Sequence, residues 1–211
     1  YRRQRQMCIR DRCGALIKVK NRTITVRGVE ELKLQDYKVI PDRIEAGSYI
    51  LATMATKGRL KLNNFNPKDL TLPLKLYKGM GLKIKKLSNT SYEIFCKTLK
   101  PIKKISTKEF PGYPTDLQAQ LIATQLKSGL KSKVVENIFE NRFIHIPELR
   151  RFGANLSIKG NTVTIDKTSN LLGAEVMATD IRASFSLIIA AMMSKGKTVI
   201  NRIYHLSLIH I

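Results

Sequence analysis

The sequence predicts an α/β fold built from repeated units, with helices inside and strands around them. Three observations support this prediction: hairpin-like segments recur three times, aspartate-led helical segments recur between them, and two of these helices are apolar on almost every face. The chain has 211 residues, of which 43% are hydrophobic. It is therefore long enough to bury a core in one domain or two.

The three hairpin-like segments share one pattern. In each, a glycine ends the preceding segment, an alternating strand follows, a polar turn containing Asn or Gly reverses the chain, and a second alternating strand returns. The segments read "CGALIKVKNRTITV", "GMGLKIKKLSNTSYEI" and "FGANLSIKGNTVTI". Their aligned glycines, Gly14, Gly81 and Gly153, lie 67 and 72 residues apart. The pattern predicts a β-hairpin after a helix in each unit.

The three helical segments interleave with the hairpins. They read "PDRIEAGSYILATMATKGRLKL", "PTDLQAQLIATQLKSGLKSKV" and "ATDIRASFSLIIAAMMSKGKTVI". Each opens with an aspartate, continues with helix-forming residues, reaches a glycine and then enters a strand. The aspartates, Asp42, Asp116 and Asp180, are 74 and 64 residues apart, which matches the period of about 70 in the hairpins. The predicted unit is therefore helix, strand, helix, hairpin.

Two of the aspartate-led helices, residues 44–55 and 181–193, carry apolar or small residues on almost every face. A helix that is apolar all round is buried all round, so we expect both helices inside the fold. The second helices of the units, near residues 70–78 and 147–152, are expected nearer the surface. Pro147 predicts the start of the latter helix.

The starts of parallel buried helices meet in one region, where the helix dipoles and unpaired N–H groups attract anions. An aspartate at each start is expected as an N-cap that contributes about 1 kcal/mol to stability. We prefer this interpretation for Asp42. For Asp116 and Asp180 the pattern alone leaves a capping role and a ligand-facing role open.

The charge balance favours an anionic partner, because 38 Lys and Arg stand against 16 Asp and Glu, for a net charge of +22. A basic nucleic-acid-binding α/β module is one alternative, although aromatic residues make up only 7%, Trp is absent, and no RNA-binding or zinc-finger signature occurs.

The longest apolar run, "LIIAAMM", is far shorter than the roughly 20 residues that cross a bilayer, so no membrane partner is predicted. Three cysteines without a CxxC pair predict a reducing, cytoplasmic location.

The two ends of the chain differ from the rest. Residues 1–12, "YRRQRQMCIRDR", and residues 207–211, "SLIHI", resemble translated adapter sequence, so we expect both to be non-native. A basic arm and a final strand are the alternatives. Removing these ends deletes five Arg and one Asp, which leaves a net charge of +18.

Four motifs carry a family resemblance: "PDRIEAGSYI", "GYPTDLQAQ", "NIFENRFIHIPELRRFGA", and "MATDIRAS" followed by "NRIYHL". In this order they resemble the UDP-N-acetylglucosamine 1-carboxyvinyltransferase family, from Cys13 to Leu206. The resemblance implies two domains, each an inside-out α/β barrel of three repeated units, with the substrates between them. Residues 13–40 would end the first domain and residues 41–206 would form most of the second, so the fold is expected to be incomplete.

The resemblance also implies a reaction: transfer of the enolpyruvyl group of phosphoenolpyruvate to the 3-hydroxyl of UDP-N-acetylglucosamine. This is the first committed step of peptidoglycan synthesis, on which cell-wall biogenesis, cell shape and cell division depend. The chemistry needs a base at the hydroxyl, an acid at the methylene carbon and cations around the phosphate. Asp116 matches the family's proposed base, held by a turn of Pro111 and Pro114, with a plain N-cap as the alternative. The shikimate-pathway enolpyruvyl transferase is the nearest enzyme alternative, but "PDRIEAG" and "FENRF" are not its pattern.

Three further residues match family positions that bind substrate. Ile138 matches the position whose main chain meets the nucleotide-sugar, with a core strand residue as the alternative. Asp180 and Arg182 match a pair that lines the cleft, where the arginine approaches phosphoenolpyruvate through its planar fork. A structural Asp–Arg pair at a helix start is the alternative for these two. Arg142 either is structural or steadies the loop.

No cofactor and no metal are predicted. The resemblance implies none, and neither His145 nor His205 has Cys or carboxylate partners at metal spacing. The family's reactive cysteine lies in the first domain and is matched by neither Cys13 nor Cys96. The fragment itself is therefore expected to be inactive, and its oligomeric state is left open.

Overall fold

A computed structural model of the chain describes residues 13–21, 23–33, 36 and 38–206, without the side chains of residues 205 and 206. The sequence predictions for both termini lie outside these residues. The chain divides into two compact units between Ile40 and Pro41. No helix in the described ranges has the length and apolar character needed to cross a membrane.

The first unit contains the first predicted hairpin. Strand β1 (Leu16–Lys20) pairs antiparallel with β2 (Thr23–Arg27). Gly14 precedes β1 with a φ of +89°, and Asn21 lies in the turn with a φ of +54°. Both residues occupy the left-handed region, which Gly and Asn adopt at low cost. The predicted hairpin and the position of its glycine are confirmed.

The second unit contains the remaining elements in the predicted order. Its first repeat comprises α1 (Arg43–Ala55), β3 (Arg59–Leu62), a 3-10 turn (Pro67–Leu70), α2 (Thr71–Gly79), β4 (Leu82–Lys86) and β5 (Tyr92–Cys96). Its second repeat comprises β6 (Lys104–Ser106), a 3-10 turn (Thr115–Leu117), α3 (Gln118–Gln125), β7 (Ser132–Val135), α4 (His145–Arg151), β8 (Leu156–Lys159) and β9 (Thr162–Ile165). The third part comprises β10 (Glu175–Met177), α5 (Ile181–Met193), β11 (Val199–Asn201) and a 3-10 turn (Ile203–Leu206).

The sheets repeat with the helices. The first repeat forms the antiparallel sheet β3-β5-β4, and the second forms β6-β7-β9-β8, in which only β6 and β7 are parallel. In the third part β10 and β11 pair in parallel. The predicted unit is confirmed in the first two repeats. Sequence patterning missed β6 and β10, because three residues are too few to show an alternating period.

The helix with every residue buried is α3, although it carries three glutamines and a threonine. The prediction that α1 and α5 are buried on all faces is wrong, since Tyr49 of α1 is 50% exposed and Met192 of α5 is 56% exposed. The reason is position, because α3 packs against both other helices. Some of its polar groups have partners: Gln120 Nε2 donates to Ser48 Oγ at 3.1 Å, and Gln125 Oε1 accepts from Ile102 N and Ser132 Oγ. One side-chain atom of each glutamine meets no hydrogen-bond partner among the described residues.

The three aspartate-led helices run in the same direction. Gln120 contacts Ser48 at one level of α3 and α1, and Thr124 Oγ1 donates to the Leu51 carbonyl one turn further along both. For α3 and α5 the starting turns meet through Asp116 and Arg182, and the ends meet where Lys127 Nζ donates to the Met193 carbonyl. The helix starts therefore converge at one end of the unit, as the sequence predicts.

The second helices lie nearer the surface, also as predicted. α2 buries Pro73, Leu74 and Tyr77 and exposes its lysines, and α4 buries His145, Ile146 and Leu149 and exposes its arginines. α4 begins two residues before Pro147. This difference is small, because proline is tolerated throughout the first turn, where no N–H has a helical acceptor.

Candidate active site

The carboxylate of Asp116 does not cap a helix. The helical run begins directly after Pro114 with the 3-10 turn Thr115–Leu117, so that Asp116 lies inside the first turn rather than before it. Neither that turn nor α3 has a side-chain cap. The N-cap alternative for Asp116 is therefore wrong, and the side chain points to other elements.

Two arginines from distant parts of the sequence hold the Asp116 carboxylate. Arg182 Nε donates to Oδ1 at 2.7 Å, and an Arg142 terminal nitrogen donates to the same oxygen at 3.0 Å. In the described residues both contacts fall on Oδ1 and none on Oδ2, and the Asp116 side chain is 35% exposed. One carboxylate oxygen is thus fixed, and the other remains available to a ligand.

Arg142 is the more buried of the two arginines, with 15% of its side chain exposed. Burial lowers the pKa of its guanidinium, and the nearby charge of Arg182 lowers it further, whereas Asp116 and Glu136 oppose these effects. The guanidinium also lies 4.4 Å from the centre of the Phe139 ring. An arginine keeps its proton in such a site, so two positive charges flank the carboxylate.

The turn before Asp116 is anchored from the core by two buried tyrosines. Tyr77 and Tyr113 join their hydroxyls at 2.9 Å, and Tyr113 donates onward to the Leu117 carbonyl at 3.2 Å. Burial raises the pKa of both phenols. Gln120 Nε2 also donates to the Asp116 carbonyl at 3.0 Å. The backbone that carries the carboxylate is therefore held on both sides.

Asp180 and Arg182 have separate roles at the start of α5. Asp180 Oδ1 accepts from the Arg182 and Ala183 backbone N–H groups at 2.7 and 2.9 Å, so Asp180 is the N-cap of α5. The Arg182 side chain turns to Asp116, and in the described ranges it hydrogen-bonds through Nε alone. The alternative of a structural Asp180–Arg182 side-chain pair is therefore wrong.

Among the described residues, Ile138 forms no hydrogen bond with Asp116, Arg142 or Arg182. Its backbone N–H donates to Glu136 Oε1 at 2.9 Å, so its main chain offers a ligand the carbonyl group. The residue follows β7 and is not a core strand residue, which excludes that alternative. An open groove of about 800 Å³ lies along the loop of residues 136–144 and the turn of residues 158–161.

His145 is buried at the start of α4. Burial lowers its pKa from 6.5 to about 4; Arg142 contributes to the lowering, and Asp180 opposes it. The centre of its ring lies 6.5 Å from the centre of the Phe143 ring. Its Nε2 meets no hydrogen-bond partner among the described residues. Within the same residues no group of three or more His, Cys, Asp or Glu could hold a metal ion.

Sequence analysis missed one buried carboxylate next to the cluster, Glu136, whose charge acts on Arg142. It is 2% exposed and accepts hydrogen bonds from Thr107, Thr115 and two backbone N–H groups. The available signal was its place in "KSKVVENIF", where a charged residue directly follows a strand with two valines. An acidic residue in such a setting needs buried donors.

The family assignment follows from comparison with known proteins. The chain belongs to the EPSP synthase (3-phosphoshikimate 1-carboxyvinyltransferase) family, whose sequence profile matches residues 7–208. Among curated members it is similar to the UDP-N-acetylglucosamine 1-carboxyvinyltransferase of Pelagibacter ubique (strain HTCC1062), with 48% identity over 187 residues, 88% of this chain and 44% of that protein. The enzyme of the same name from Bartonella henselae is 44% identical over 197 residues, 92% of this chain and 46% of that protein. The chain spans about half the length of these relatives, and the predicted resemblance is confirmed.

Solved structures show the same fold. The enolpyruvyl transferase NikO from Streptomyces tendae superposes with a TM-score of 0.78 at 24% identity, covering 93% of this chain and 47% of NikO. The EPSP synthase from Acinetobacter baumannii superposes with a TM-score of 0.63 at 15% identity, covering 92% of this chain and 48% of that enzyme. The predicted enolpyruvyl transferase-like α/β fold is confirmed.

Proposed function

We propose that the full-length protein containing this chain transfers the enolpyruvyl group of phosphoenolpyruvate to the 3-hydroxyl of UDP-N-acetylglucosamine. The observation that carries the proposal is the Asp116 carboxylate, which is fixed through Oδ1 by two arginines and leaves Oδ2 available at the end where three helix starts meet. The names of relatives 41–48% identical to this chain support the choice of acceptor.

The reaction divides into addition and elimination. The sugar oxygen bonds to C2 of phosphoenolpyruvate, an enol phosphate, while a proton is added to C3, which gives a tetrahedral intermediate. The bond from C2 to the phosphate oxygen then breaks, phosphate leaves, and C3 loses a proton to restore the double bond. Asp116 Oδ2 is proposed to accept the hydroxyl proton in the first step. A carboxylate is a weak base toward a sugar hydroxyl, so close positioning must supply much of its effect.

Arg182 is proposed to bind the carboxylate or phosphate of phosphoenolpyruvate. Its Nε holds Asp116, while its other nitrogens have no hydrogen-bond partner in the described part of the chain. A planar guanidinium can therefore join the base and the anionic substrate. Asp180 contributes by capping α5 and fixing the start of the helix that carries Arg182.

The nucleotide-sugar is proposed to bind along the groove of residues 136–144, with the Ile138 carbonyl as one contact. Arg142 steadies this loop, because it bridges Asp116 and the Phe139 ring. The positive charges at the site and the converging helix starts suit a diphosphate and a phosphate ester. No step in this scheme requires a metal or an organic cofactor.

The wider assignments rest on the same proposal. Residues 13–40 would end a first domain and residues 41–206 would form most of a second, in keeping with the change of compact unit after Ile40. The product would enter peptidoglycan synthesis, and so cell-wall growth, cell shape and division. A cytoplasmic location is proposed because both substrates are phosphorylated metabolites that do not cross membranes unaided.

The acceptor decides between this function and the shikimate-pathway reaction. The full-length protein is incubated with phosphoenolpyruvate and either UDP-N-acetylglucosamine or shikimate 3-phosphate, and phosphate release is followed. We expect release with the nucleotide-sugar and at least about a hundredfold less with shikimate 3-phosphate, since a site that binds one polar acceptor rejects an unlike one. The proposal would be refuted if phosphate were released with shikimate 3-phosphate but not with UDP-N-acetylglucosamine. It would also be refuted if no phosphate were released with either acceptor.

A further inference from the structure

Glu136 is a buried carboxylate that the proposed reaction does not use. It directly follows β7, and its carboxylate accepts four hydrogen bonds. Oε1 accepts from Thr107 Oγ1 at 2.9 Å, from Ile138 N at 2.9 Å and from Phe139 N at 3.2 Å, and Oε2 accepts from Thr115 Oγ1 at 2.8 Å. Burying a carboxylate is costly unless donors surround it. A residue that merely ended a strand would not need this set of partners.

The four contacts divide between the two sides of the candidate site. Thr115 directly precedes Asp116, and Ile138 and Phe139 begin the loop that carries Arg142. Arg142 in turn donates to Asp116. These contacts close a ring of linked residues. Glu136 is hydrogen-bonded to Thr115, Thr115 is followed by Asp116, Asp116 is paired with Arg142, and the loop backbone leads from Arg142 back to Glu136. Movement of the Asp116 segment relative to this loop would therefore disturb the Thr115–Glu136 hydrogen bond or the Arg142–Asp116 ion pair.

We propose that Glu136 is a positioning residue, which holds Asp116 through Thr115 and holds the Ile138 loop through its other oxygen. This inference rests on the proposed function, because it assigns Glu136 the task of aligning the base with the sugar hydroxyl. Misplacing a catalytic group by about 1 Å can cost on the order of a hundredfold in rate. We call the four hydrogen bonds of the Glu136 carboxylate the clamp. The clamp is therefore expected to affect the rate of the chemical step more than substrate binding.

Thr115 and Thr107 provide a matched pair of variants. Each donates one hydroxyl hydrogen bond to Glu136, and valine removes the hydroxyl while keeping the side-chain shape. Thr115 leads to Asp116, whereas Thr107 also accepts from Asn137 N at 2.9 Å and so supports the Ile138 side. Thr115→Ser keeps the donor and serves as the rescue variant.

Steady-state kinetics of the full-length protein test the proposal, with phosphoenolpyruvate and UDP-N-acetylglucosamine as substrates. Thr115→Val is expected to lower kcat at least about tenfold with less than about a twofold change in KM for the sugar, and Thr115→Ser to restore kcat to within about twofold. Thr107→Val is expected to act mainly by raising that KM. Equal losses of kcat in Thr115→Val and Thr107→Val, or a normal kcat in Thr115→Val, would overturn the proposal.

Amide hydrogen exchange separates failure of the clamp from failure of the proposed function. Glu136→Ala is expected to accelerate exchange in residues 113–118 and 137–140 together, although Thr115 and Glu136 are 21 residues apart, and to leave residues 44–55 unchanged. Should Glu136→Ala fail to fold, Thr115→Val is expected to accelerate exchange in residues 113–118. Acceleration confined to 137–140 in the first variant, or none in 113–118 in the second, would refute the clamp whether or not the wild type is active.

Discussion

The starts of α1 and α3 occupy the same place in successive repeats but use their aspartates differently. Asp42 accepts from the Ile44 and Glu45 backbone N–H groups at 2.7 and 3.4 Å, and so it caps its own helix. Asp116 caps nothing and holds two arginines instead. The comparison teaches that the repeat supplies a scaffold with a polar residue at each helix start. A shift in where the helical run begins then frees one of these residues from capping, so that its carboxylate meets two arginines instead.

The shift was not visible in the sequence. The second and third helices both open with a Thr-Asp pair, yet Asp180 caps α5 while Asp116 lies inside a 3-10 turn. In the second run Pro114 itself occupies the N-cap position, in an extended conformation with φ −71° and ψ 132°, so Asp116 falls inside the run. Asp116 therefore lies two residues beyond the cap position that Asp180 occupies in its own helix, and this displacement changes its partners.

The largest expected effect separates the two aspartates by catalytic rate. In the full-length protein Asp116→Asn is expected to lower the rate of phosphate release by about 10²–10⁴-fold, the usual range for loss of a general base. Asp42→Asn is the matched control and is expected to leave that rate within about threefold, because asparagine also caps helices. Similar rates in the two variants would remove the distinction between the helix starts.

The repeated glycines give the next comparison. Gly81 has a φ of +110°, and a methyl group there would overlap the Thr98 carbonyl oxygen. Gly153 has a φ of +83°, and a methyl group there would lie 3.3 Å from the Asn170 carbonyl oxygen. Gly81→Ala is therefore expected to cost about 3 kcal/mol or more in the free energy of unfolding, and Gly153→Ala about 1–2 kcal/mol. Urea denaturation of both variants checks the order, and a reversed order would contradict it.

The second repeat also carries a buried histidine at the start of its second helix. Because the pKa of His145 falls from 6.5 to about 4 on folding, the unfolded chain binds a proton between these values while the folded chain does not. Stability is expected to fall as the pH drops from 6.5 towards 4, by on the order of 3 kcal/mol from this residue.

His145→Leu tests this pH dependence, because leucine is neutral at every pH. Denaturation at pH 7 and pH 4.5 is expected to show a smaller loss of stability in the variant than in the wild type. Asp180 and Arg142, which also influence the histidine, are unchanged in both proteins. Equal losses would show that the histidine is protonated in the folded state or contributes nothing.

The smallest expected effect concerns capping alone. Asp42→Ala leaves the Ile44 and Glu45 N–H groups to water and is expected to lower the free energy of unfolding by about 1 kcal/mol, without loss of turnover. Thermal or urea unfolding measures it. A loss of turnover greater than tenfold would place Asp42 in the chemistry and end the contrast with Asp116.

Local features of this fold were predictable, and long-range ones were not. The hairpins, the glycines with positive φ and the cap at Asp42 depend on neighbouring residues, so pattern and propensity found them. The cap at Asp180 was one of the roles that the pattern left open. The contacts of Asp116 join residues 26 and 66 positions away. The hydrogen bonds of Glu136 come from three separate segments of the chain. The full burial of α3 depends on its contacts with both α1 and α5. No local period encodes such arrangements.

A crystal structure of the full-length protein with UDP-N-acetylglucosamine bound would test the central claim most directly. We expect the Asp116 carboxylate within about 2.6–3.2 Å of the sugar 3-hydroxyl, with Arg182 still on its other oxygen, and Asp42 still capping α1 away from the ligand. A carboxylate turned back onto the first N–H groups of α3, with no sugar oxygen near it, would contradict the account.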